Sequence, residues 1–309
     1  MSQAKRQFYF LDKVLNIMIE TMNAELVLDE LAARLKIYEQ RFSQTATSQL
    51  GTLNHQSGAK AITVDRQLYE LIKLGKYHSL KQASNLNIAI APLTQLWRIG
   101  QPDARIPSAE EIQATLPLTN PEQIVLDDNQ SAVFLTQPGM VLDLSSLVKG
   151  YVTDLLVSYL NSINVHAALI DFDGNITVLG PSRQVDQQWR VPVSPAMAIN
   201  QGKRAMVSTT NRSFITRQIY KRALVKQQRA YSYFLDPQTG RPIETDLTSL
   251  TIISPQAIDG EIWSLRLLNQ SIDHILAIVN QQPNLEAVLI DDEDDIIYSD
   301  GLTELINWQ

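Results

Sequence analysis

The chain contains no cysteine. This absence excludes disulfides, thiolate metal ligands, cysteine nucleophiles and a lipid-modified N-terminal cysteine. The chain also lacks any run that approaches the roughly 20 apolar residues needed to span a bilayer. Asp12 and Lys13 interrupt the apolar residues 8–11 at once, so we expect neither a signal peptide nor a membrane anchor. A cytoplasmic location is the default expectation.

The chain has fewer basic than acidic residues. Lys and Arg total 26 against 33 Asp and Glu, which gives a formal net charge of -7 over 309 residues. This balance argues against a broad phosphate-binding surface, and nucleic acid is not an expected partner. With 44% hydrophobic and 19% charged residues, the composition excludes disorder and is typical of one large or two ordinary globular domains.

The common catalytic motifs are missing as well. The sequence has no Walker loop and no G-x-G-x-x-G, H-E-x-x-H or G-x-S-x-G motif. Its four histidines show no metal-ligand spacing, so a histidine-based metal site is not expected. The acidic run 291–295 reads as a solvated hairpin tip rather than a cation site, because like charges tolerate crowding best in water.

Helical periodicity is clear in several segments. Apolar residues at three- and four-residue steps predict helices over 26–42, after Asp65 at an N-cap position, and over 146–163. Two more helices are predicted at 257–268 and 270–280. Residues 213–227 fit either a helix or a strand.

Short apolar runs next to turn residues indicate strands. They lie at 167–170, 176–179, 231–235, 248–253, 287–290 and 296–298, the last two as a terminal hairpin. Residues 48–62 read as polar and turn-rich. Residues 100–140 hold five prolines and read as short strands and turns of a surface-exposed connecting region.

These elements alternate along the chain, with no repeat of fixed period and no low-complexity linker. We therefore expect an α+β fold of mixed sheets with interspersed helices. We expect a single domain over residues 1–309, whose boundary at residues 1–20 is least defined. Two lobes are the alternative.

Six separated segments resemble one family in the same order along the chain, the ApbE-type flavin transferases. They are RFS at 41–43 with SQLGTLN at 48–54, NIAIAPL at 87–93 with LW at 96–97, DLSSLVKGY at 143–151 with Asp154, VSTT at 207–210, YS at 231–232, and DPQTGRP at 236–242. They are similar to the family's R-F-S and S-E-L-S-R-L-N, D-I-T-V-G-P-L and L-W, D-L-G-G-I-A-K-G-Y-x-x-D, V-A-T-S, and Y-S-H-I-I-D-P-R-T-G-x-P. Each match alone is weak, but six collinear matches rarely arise by chance.

The resemblance implies an ApbE-like fold and transfer of FMN from FAD to a threonine of an acceptor flavoprotein, with Mg²⁺ as cofactor. It assigns FAD binding to four residues: Asn87, Asp143, Lys149 and Phe234. Without the resemblance, Asp143 would read as a helix N-cap and Lys149 as a solvated helix side chain.

The resemblance also implies a magnesium site, from which this chain departs. The family's A-M-D-A-D-A-L-S-T-A, with an aspartate and a threonine as ligands, reads AIDGEIWSLR at 257–266. Glu261 keeps a carboxylate and the Ser146 carbonyl is a further ligand, but Leu265 cannot coordinate a metal. Ser264 offers a replacement oxygen, although its side chain is rotated by about 100° around the helix axis from that of the next residue, Leu265. We expect reduced metal affinity.

Three further departures concern catalysis, backbone shape and the N-terminal motif. The family's histidine before I-I-D-P is Tyr233, and a phenol with a reference pKa of about 10 is a poor base near neutrality. No other catalytic residue is identified. The glycine after the family's T-S is Asn211, the least costly non-glycine residue if a positive φ is needed. The family's N-terminal M-G-T reads LDK at 11–13.

Two classes of function remain open. The first is an enzyme: an FMN transferase, or a magnesium-dependent FAD pyrophosphatase if water replaces the threonine. The second is a catalytically impaired flavin-binding or scaffold protein of the same fold. Family resemblance favours the enzyme, whereas the substitutions at 211, 233 and 265 favour the second class. We interpret the sequence as that of a divergent flavin transferase.

Overall fold

The computed structural model describes residues 2–193, 205–221, 223–226 and 229–308. In these ranges the helices are α1 (Ala24–Phe42), α2 (Gln49–His55), α3 (Arg66–Ser79), α4 (Ala91–Trp97), α5 (Ala109–Thr115), α6 (Ser145–Ser162), α7 (Ala257–Arg266) and α8 (Ile272–Val279). The strands are β1 (Ser2–Phe10), β2 (Lys13–Thr21), β3 (Ile62–Thr63), β4 (Ile124–Asp127), β5 (Ala132–Leu135), β6 (Ala167–Phe172), β7 (Asn175–Leu179), β8 (Trp189–Pro192), β9 (Ala205–Thr209), β10 (Arg212–Gln218), β11 (Ala223–Lys226), β12 (Arg229–Ser232), β13 (Leu247–Ser254), β14 (Glu286–Asp291), β15 (Ile296–Tyr298) and β16 (Ile306–Trp308). Short 3₁₀ helices cover Leu116–Thr119, Pro121–Gln123 and Asp300–Leu302.

The largest sheet has eight antiparallel strands in the order β1-β2-β6-β7-β10-β13-β14-β15. Smaller sheets are β16-β9-β8, β3-β5-β4 and the hairpin β11-β12. Helices α1, α3, α6 and α7 contribute to the main hydrophobic core. The predicted α+β class with mixed sheets and interspersed helices is confirmed. The boundary of a single domain at 1–309 stays a prediction, although strands from residue 2 to residue 298 share one sheet.

The first residues of the chain form a β-hairpin at the edge of this sheet. Leu11 and Asp12 make its two-residue turn with φ of +49° and +59°, the left-handed conformation that suits the twist of paired strands. In β2, alternate residues Leu15, Ile17 and Ile19 are fully buried. Because β2 pairs with β6, the hairpin extends the sheet that borders α6.

The predicted helices are confirmed, with small shifts of their ends. The Asp65 carboxylate accepts a hydrogen bond of 2.9 Å from the backbone N–H of Gln67 and caps α3, as its position in the sequence predicts. In α1 the buried side chains include Leu28, Leu31 and Leu35, the stripe that the periodicity indicates. None of the described helices combines the length and hydrophobicity needed to cross a membrane.

The prediction that residues 48–62 are only polar and turn-rich was wrong. Helix α2 lies within this range, and the Ser48 hydroxyl caps it by accepting a bond of 2.9 Å from the backbone N–H of Gly51. Leu50 and Leu53 anchor the helix in the core. Seven residues with two buried leucines give too short a period to stand out among polar neighbours.

The short strands predicted within 100–140 are confirmed by β4 and β5, but the range is more than a connecting region. The range contains α5, which begins with a capping box of Ser108 and Glu111, and the strand pair β4-β5. Val133 is fully buried in the main core. Pro117 and Pro121 lie in the first positions of 3₁₀ helices, so they start structured elements instead of marking an exposed loop.

The segment that fitted either a helix or a strand consists of strands. It contains β10 and β11, while positions 222 and 227 lie outside the described residues. The predicted strands at 167–170, 176–179 and 248–253 are confirmed, as is the terminal hairpin β14-β15. The strand predicted at 231–235 ends earlier, because β12 stops at Ser232.

Candidate functional site

Segments that are distant in sequence meet just before α6. The amide side chain of Asn54 pairs with the backbone of Leu142, donating to its carbonyl at 3.0 Å and accepting from its N–H at 2.8 Å. The next residue, Asp143, donates its backbone N–H to the carbonyl of Ile88 at 2.8 Å. The segments 48–54 and 87–93 therefore fix the loop that starts α6.

The segments 96–97 and 236–242 are also bound to each other. Gly240 adopts a φ of +67°, and its backbone N–H donates to the Asp236 carbonyl at 2.8 Å. A Cβ at this position would lie 2.7 Å from the side chain of Ile112, so the turn needs glycine for both reasons. The indole N–H of Trp97 donates to the Gly240 carbonyl at 2.8 Å. These motif residues build the frame of the site.

A cleft of about 580 Å³ opens beside the N-terminal end of α6. Among the residues that line it are Ser146 and Lys149 of α6, Arg217 of β10, and the pair Tyr233 and Phe234. A smaller cavity of about 60 Å³ shares Ser146, Tyr233 and Phe234 with the cleft. It is also lined by Asn87, Asp143 and Leu265. All four residues that the resemblance assigns to FAD thus line one or both of these adjoining spaces.

The cleft is cationic although the chain is acidic. The described residues that line it include four cations, Lys13, Lys149, Arg217 and Lys221, and one carboxylate, Asp173. Lys13 forms an ion pair of 3.5 Å with Asp173 at the rim. The Arg217 guanidinium is paired with the buried Glu261 carboxylate, so Lys149 and Lys221 carry the remaining positive charge, which suits a ligand with several phosphate oxygens.

Asp143 and Asn87 both hold the backbone around the smaller cavity. One carboxylate oxygen of Asp143 accepts hydrogen bonds from the backbone N–H of Ser145 at 2.8 Å and from the Gln44 amide at 3.0 Å. The Asn87 amide donates to the Thr119 carbonyl at 2.9 Å, and its oxygen accepts from a backbone N–H two residues on. The Asp143 carboxylate thus bonds the first N–H of α6, but the N-cap position is Leu144, so the reading of Asp143 as the N-cap is one residue off. Contact of Asp143 and Asn87 with FAD stays a prediction.

Lys149 is partly buried, in contrast to a solvated helix side chain. Burial lowers its pKa; the Glu261 carboxylate opposes this shift and the Arg217 guanidinium adds to it. Within the part of the chain that the structure describes, the Lys149 ammonium group forms no hydrogen bond or ion pair. Its charge is therefore available to a ligand in the cleft.

Arg217 binds all three groups that the resemblance assigns to magnesium. Its guanidinium donates to the Ser146 carbonyl at 3.0 Å, to the Ser264 hydroxyl at 3.2 Å, and to a carboxylate oxygen of Glu261. Asn175 donates to the other oxygen of Glu261 at 2.9 Å. Arg217 is 8% exposed, and Glu261 and Ser264 are 0% exposed. The buried carboxylate is thus paired and hydrogen-bonded on both oxygens.

This arrangement does not fit a divalent metal ion. Magnesium requires oxygen ligands in near-octahedral geometry at about 2.1 Å, and here the oxygens already accept hydrogen bonds from a cation. Leu265 adds an aliphatic side chain where the family has a ligand. Over the described residues, no group of three or more Asp, Glu or His side chains is placed to hold a metal.

Tyr233 and Phe234 give the cleft an aromatic wall. Their rings meet edge to face, with centroids 5.9 Å apart. Tyr233 lines both the cleft and the smaller cavity, where the resemblance expects a histidine. Asn211 adopts the positive φ, +51°, that its position suggested, and its side-chain oxygen accepts a bond of 2.7 Å from the Gly180 N–H. It does not line the cleft.

A larger cavity, of about 1000 Å³, lies elsewhere, and its lining includes Tyr220, Arg229 and Glu244. Arg229 and Glu244 form an ion pair there, which neutralises the one charge with the other. None of the residues assigned to FAD or magnesium lines it. We therefore place the candidate site in the cationic cleft of about 580 Å³.

Sequence reasoning missed Arg217, Asn175, Lys13 and Lys221. The available signal was an arginine two residues after the apolar pair Phe214 and Ile215 and two residues before Ile219, since a buried arginine needs an anionic partner. That signal does not identify the partner, because Ser146, Glu261 and Ser264 lie 71, 44 and 47 residues away along the chain.

Comparison with known proteins gives the family. The ApbE family profile matches residues 11–289. A protein of Klebsiella pneumoniae (strain 342) named FAD:protein FMN transferase is 34% identical over 266 residues, which cover 86% of this chain and 82% of the relative. A protein of the same name from Treponema pallidum (strain Nichols) is 27% identical over 84% of this chain and 75% of its own length. The chain belongs to the ApbE family.

Solved structures agree on the fold. The flavin transferase ApbE from Vibrio cholerae superimposes with a TM-score of 0.85 over 98% of this chain and 99% of that chain, at 20% identity. The ApbE protein from Thermotoga maritima gives the same TM-score, coverage and identity. At this level of identity the two structures establish the fold, and the predicted ApbE-like fold is confirmed.

Proposed function

We propose that this chain transfers FMN from FAD to a threonine of an acceptor flavoprotein. The observation that carries the proposal is the cationic, aromatic-walled cleft, which segments typical of the ApbE family build in an otherwise acidic chain. The names of the sequence relatives support the same reaction. A location in the cytoplasm stays a prediction.

The chemistry requires stabilised phosphate charge. The threonine oxygen attacks the FMN phosphorus, a P–O bond forms there, and the bond to the bridging oxygen breaks so that AMP leaves with that oxygen. Negative charge on the phosphate oxygens must be balanced while the bonds change. In this proposal, Lys149 and Arg217 supply that balance, and Phe234 offers a flat apolar surface to the isoalloxazine ring.

The hydroxyl proton of the threonine needs an acceptor. Tyr233 lines the cleft at the position of the family histidine, so we assign the proton to its phenolic oxygen. A phenol is almost wholly protonated near pH 7, and the step is then slow at neutral pH and faster at alkaline pH.

Magnesium is the cofactor that the family resemblance implies. The groups that would hold it are bonded by Arg217, and no step in this proposal runs through a metal ion. A requirement for Mg²⁺ stays a prediction of the resemblance. Comparing FMN transfer in EDTA and in MgCl₂ tests it.

A single assay separates the possible functions. The purified protein is incubated with FAD, with and without a protein carrying the family's acceptor threonine motif. AMP release and flavin fluorescence of the acceptor on a denaturing gel are then measured. A transferase labels the acceptor and releases AMP only when the acceptor is present. AMP release without an acceptor indicates an FAD pyrophosphatase, and FAD binding without AMP release indicates a flavin-binding or scaffold protein.

A further inference from the structure

The cation at the base of the cleft belongs to the chain itself. The Arg217 guanidinium reaches the Ser146 carbonyl, the Glu261 carboxylate and the Ser264 hydroxyl, which come from two different helices. Its hydrogen bonds use the Nε and Nη2 atoms. Over the described residues, Nη1 donates no hydrogen bond, while Arg217 itself lines the cleft.

A guanidinium and a divalent metal ion compete for such a position. The Arg217 guanidinium forms an ion pair with the buried Glu261 carboxylate. A metal ion bound to the same oxygens would lie within a few ångströms of that charge, and the two cations would repel each other. Asn175 holds the second carboxylate oxygen, which leaves Glu261 little freedom to turn toward a metal.

We infer that Arg217 is the resident cation of this site and takes the place of a divalent metal, so that FAD binds and FMN is transferred without magnesium. The inference rests on the proposed function. According to this inference, Nη1 of Arg217 and the Lys149 ammonium bind the phosphate oxygens of FAD. The guanidinium is suited to this role because its N–H donors are held in a fixed plane.

The first test uses the unaltered protein. FAD affinity by calorimetry and FMN transfer are measured in EDTA and again in millimolar MgCl₂. We expect less than a twofold difference between the two conditions in both quantities. A tenfold or larger loss in EDTA that Mg²⁺ restores overturns the inference while leaving the proposed function intact.

The second test replaces the arginine. Arg217→Ala should weaken FAD binding at least tenfold in EDTA. It should also create a carboxylate site that binds Mn²⁺, the probe ion, in an electron paramagnetic resonance titration.

Arg217→Lys keeps the positive charge but loses the planar set of N–H donors, so it should give an intermediate FAD affinity. This variant replaces Arg217→Ala in the test if the alanine variant fails to fold. Arg190→Ala is the matched control, because it removes a surface guanidinium that pairs with Asp186 and does not line the cleft. Unchanged FAD affinity in the folded Arg217 variants contradicts the inference.

Manganese binding keeps the inference testable even if no transfer is seen. If the wild-type protein labels no acceptor in either condition, the proposed function fails, and the Mn²⁺ titration still decides the role of Arg217. We expect no wild-type Mn²⁺ site at the cleft. A wild-type site that Glu261→Gln removes would show that a metal ion, and not Arg217, is the resident cation.

Discussion

Three residues carry the proposed chemistry of the cleft: Lys149, Arg217 and Tyr233. The sequence identifies two of them more readily than the third. Lys149 stands in the K-G-Y motif, and Tyr233 stands three residues before the D-P-x-T-G turn, so collinear motifs locate both. Arg217 lies in no motif, and its partners come from α6 and α7. Pairings over such sequence distances arise from the packing of elements and leave no periodic signal.

Replacing Lys149 by alanine should weaken FAD binding about 10- to 100-fold. This range corresponds to the roughly 1.5–3 kcal/mol of a hydrogen bond to a charged group. Calorimetric titration with FAD measures it. Lys73→Ala is the matched control, since it removes a surface ammonium group that pairs with Asp128 and does not line the cleft. Equal losses in the two variants would remove Lys149 from the phosphate site.

Replacing Tyr233 by histidine should raise FMN transfer near pH 7 by about tenfold or more, because an imidazole has a reference pKa of about 6.5. The rate should then depend less on alkaline pH than the wild-type rate does. Acceptor fluorescence measured from pH 6 to 10 tests both statements. If the unaltered protein already transfers FMN fastest at neutral pH, Tyr233 is not the proton acceptor.

Helices α6 and α7 form the contact that places Glu261 under the cleft. Gly150 lets them approach, since a Cβ there would lie 2.6 Å from the Cγ of Glu261 and 2.7 Å from the Ala257 carbonyl oxygen. The Asp154 carboxylate accepts two hydrogen bonds of 2.8 Å, from the backbone N–H groups of Ala257 and Ile258, at the start of α7. Burial raises the pKa of Asp154 to about 6, against the two backbone donors, which lower it.

Gly150→Ala should lower the free energy of unfolding by about 1–3 kcal/mol, because the helix backbone and Glu261 must shift to admit the methyl group. Part of this loss is offset by the better helix propensity of alanine. Urea unfolding measures the change. Ser158→Ala on the exposed face of α6 is the control and should be close to neutral. A Gly150→Ala variant as stable as that control would argue against the close helix contact.

Asp154 should make stability depend on pH in a defined direction. Its folded pKa of about 6 lies above the unfolded reference of 3.8, so the folded state binds more protons between these values. Its contribution is therefore fully present below pH 4 and is lost as the pH rises through about 6, by at most about 3 kcal/mol. The difference in unfolding free energy between the wild type and Asp154→Asn, measured from pH 4 to 7, should change accordingly. A constant difference would show that Asp154 keeps its ordinary pKa.

Most elements were predictable because their signals are local. In the long helices α1 and α6 the buried residues recur at helical spacing in the sequence, and Asp65 indicates the start of α3 as its N-cap. The missed helices α2, within 48–62, and α5, within 100–140, have one cause. Short elements such as α2 and α5 depend on tertiary burial of one or two side chains, which polar and proline-rich neighbours conceal.

Across the molecule, charge is distributed unevenly in a way that suits the proposed reaction. The chain carries a net charge of -7, yet the residues that the structure describes along the cleft include four cations and one carboxylate. The eight-stranded sheet brings the β1-β2 hairpin, β7 and β10 to that cleft, so residues from the first and last thirds of the chain share one site. Net charge read from composition could not reveal this, because it averages over the surface.

The most direct measurement is the mass of the acceptor after reaction. An acceptor protein with the family's threonine motif, and its variant with that threonine changed to alanine, are each incubated with this protein and FAD. Intact-mass spectrometry then follows. The account predicts a mass gain equal to one FMN joined through a phosphoester, on the threonine protein only, with one AMP released per acceptor. No mass gain, or an equal gain on the alanine variant, would contradict it.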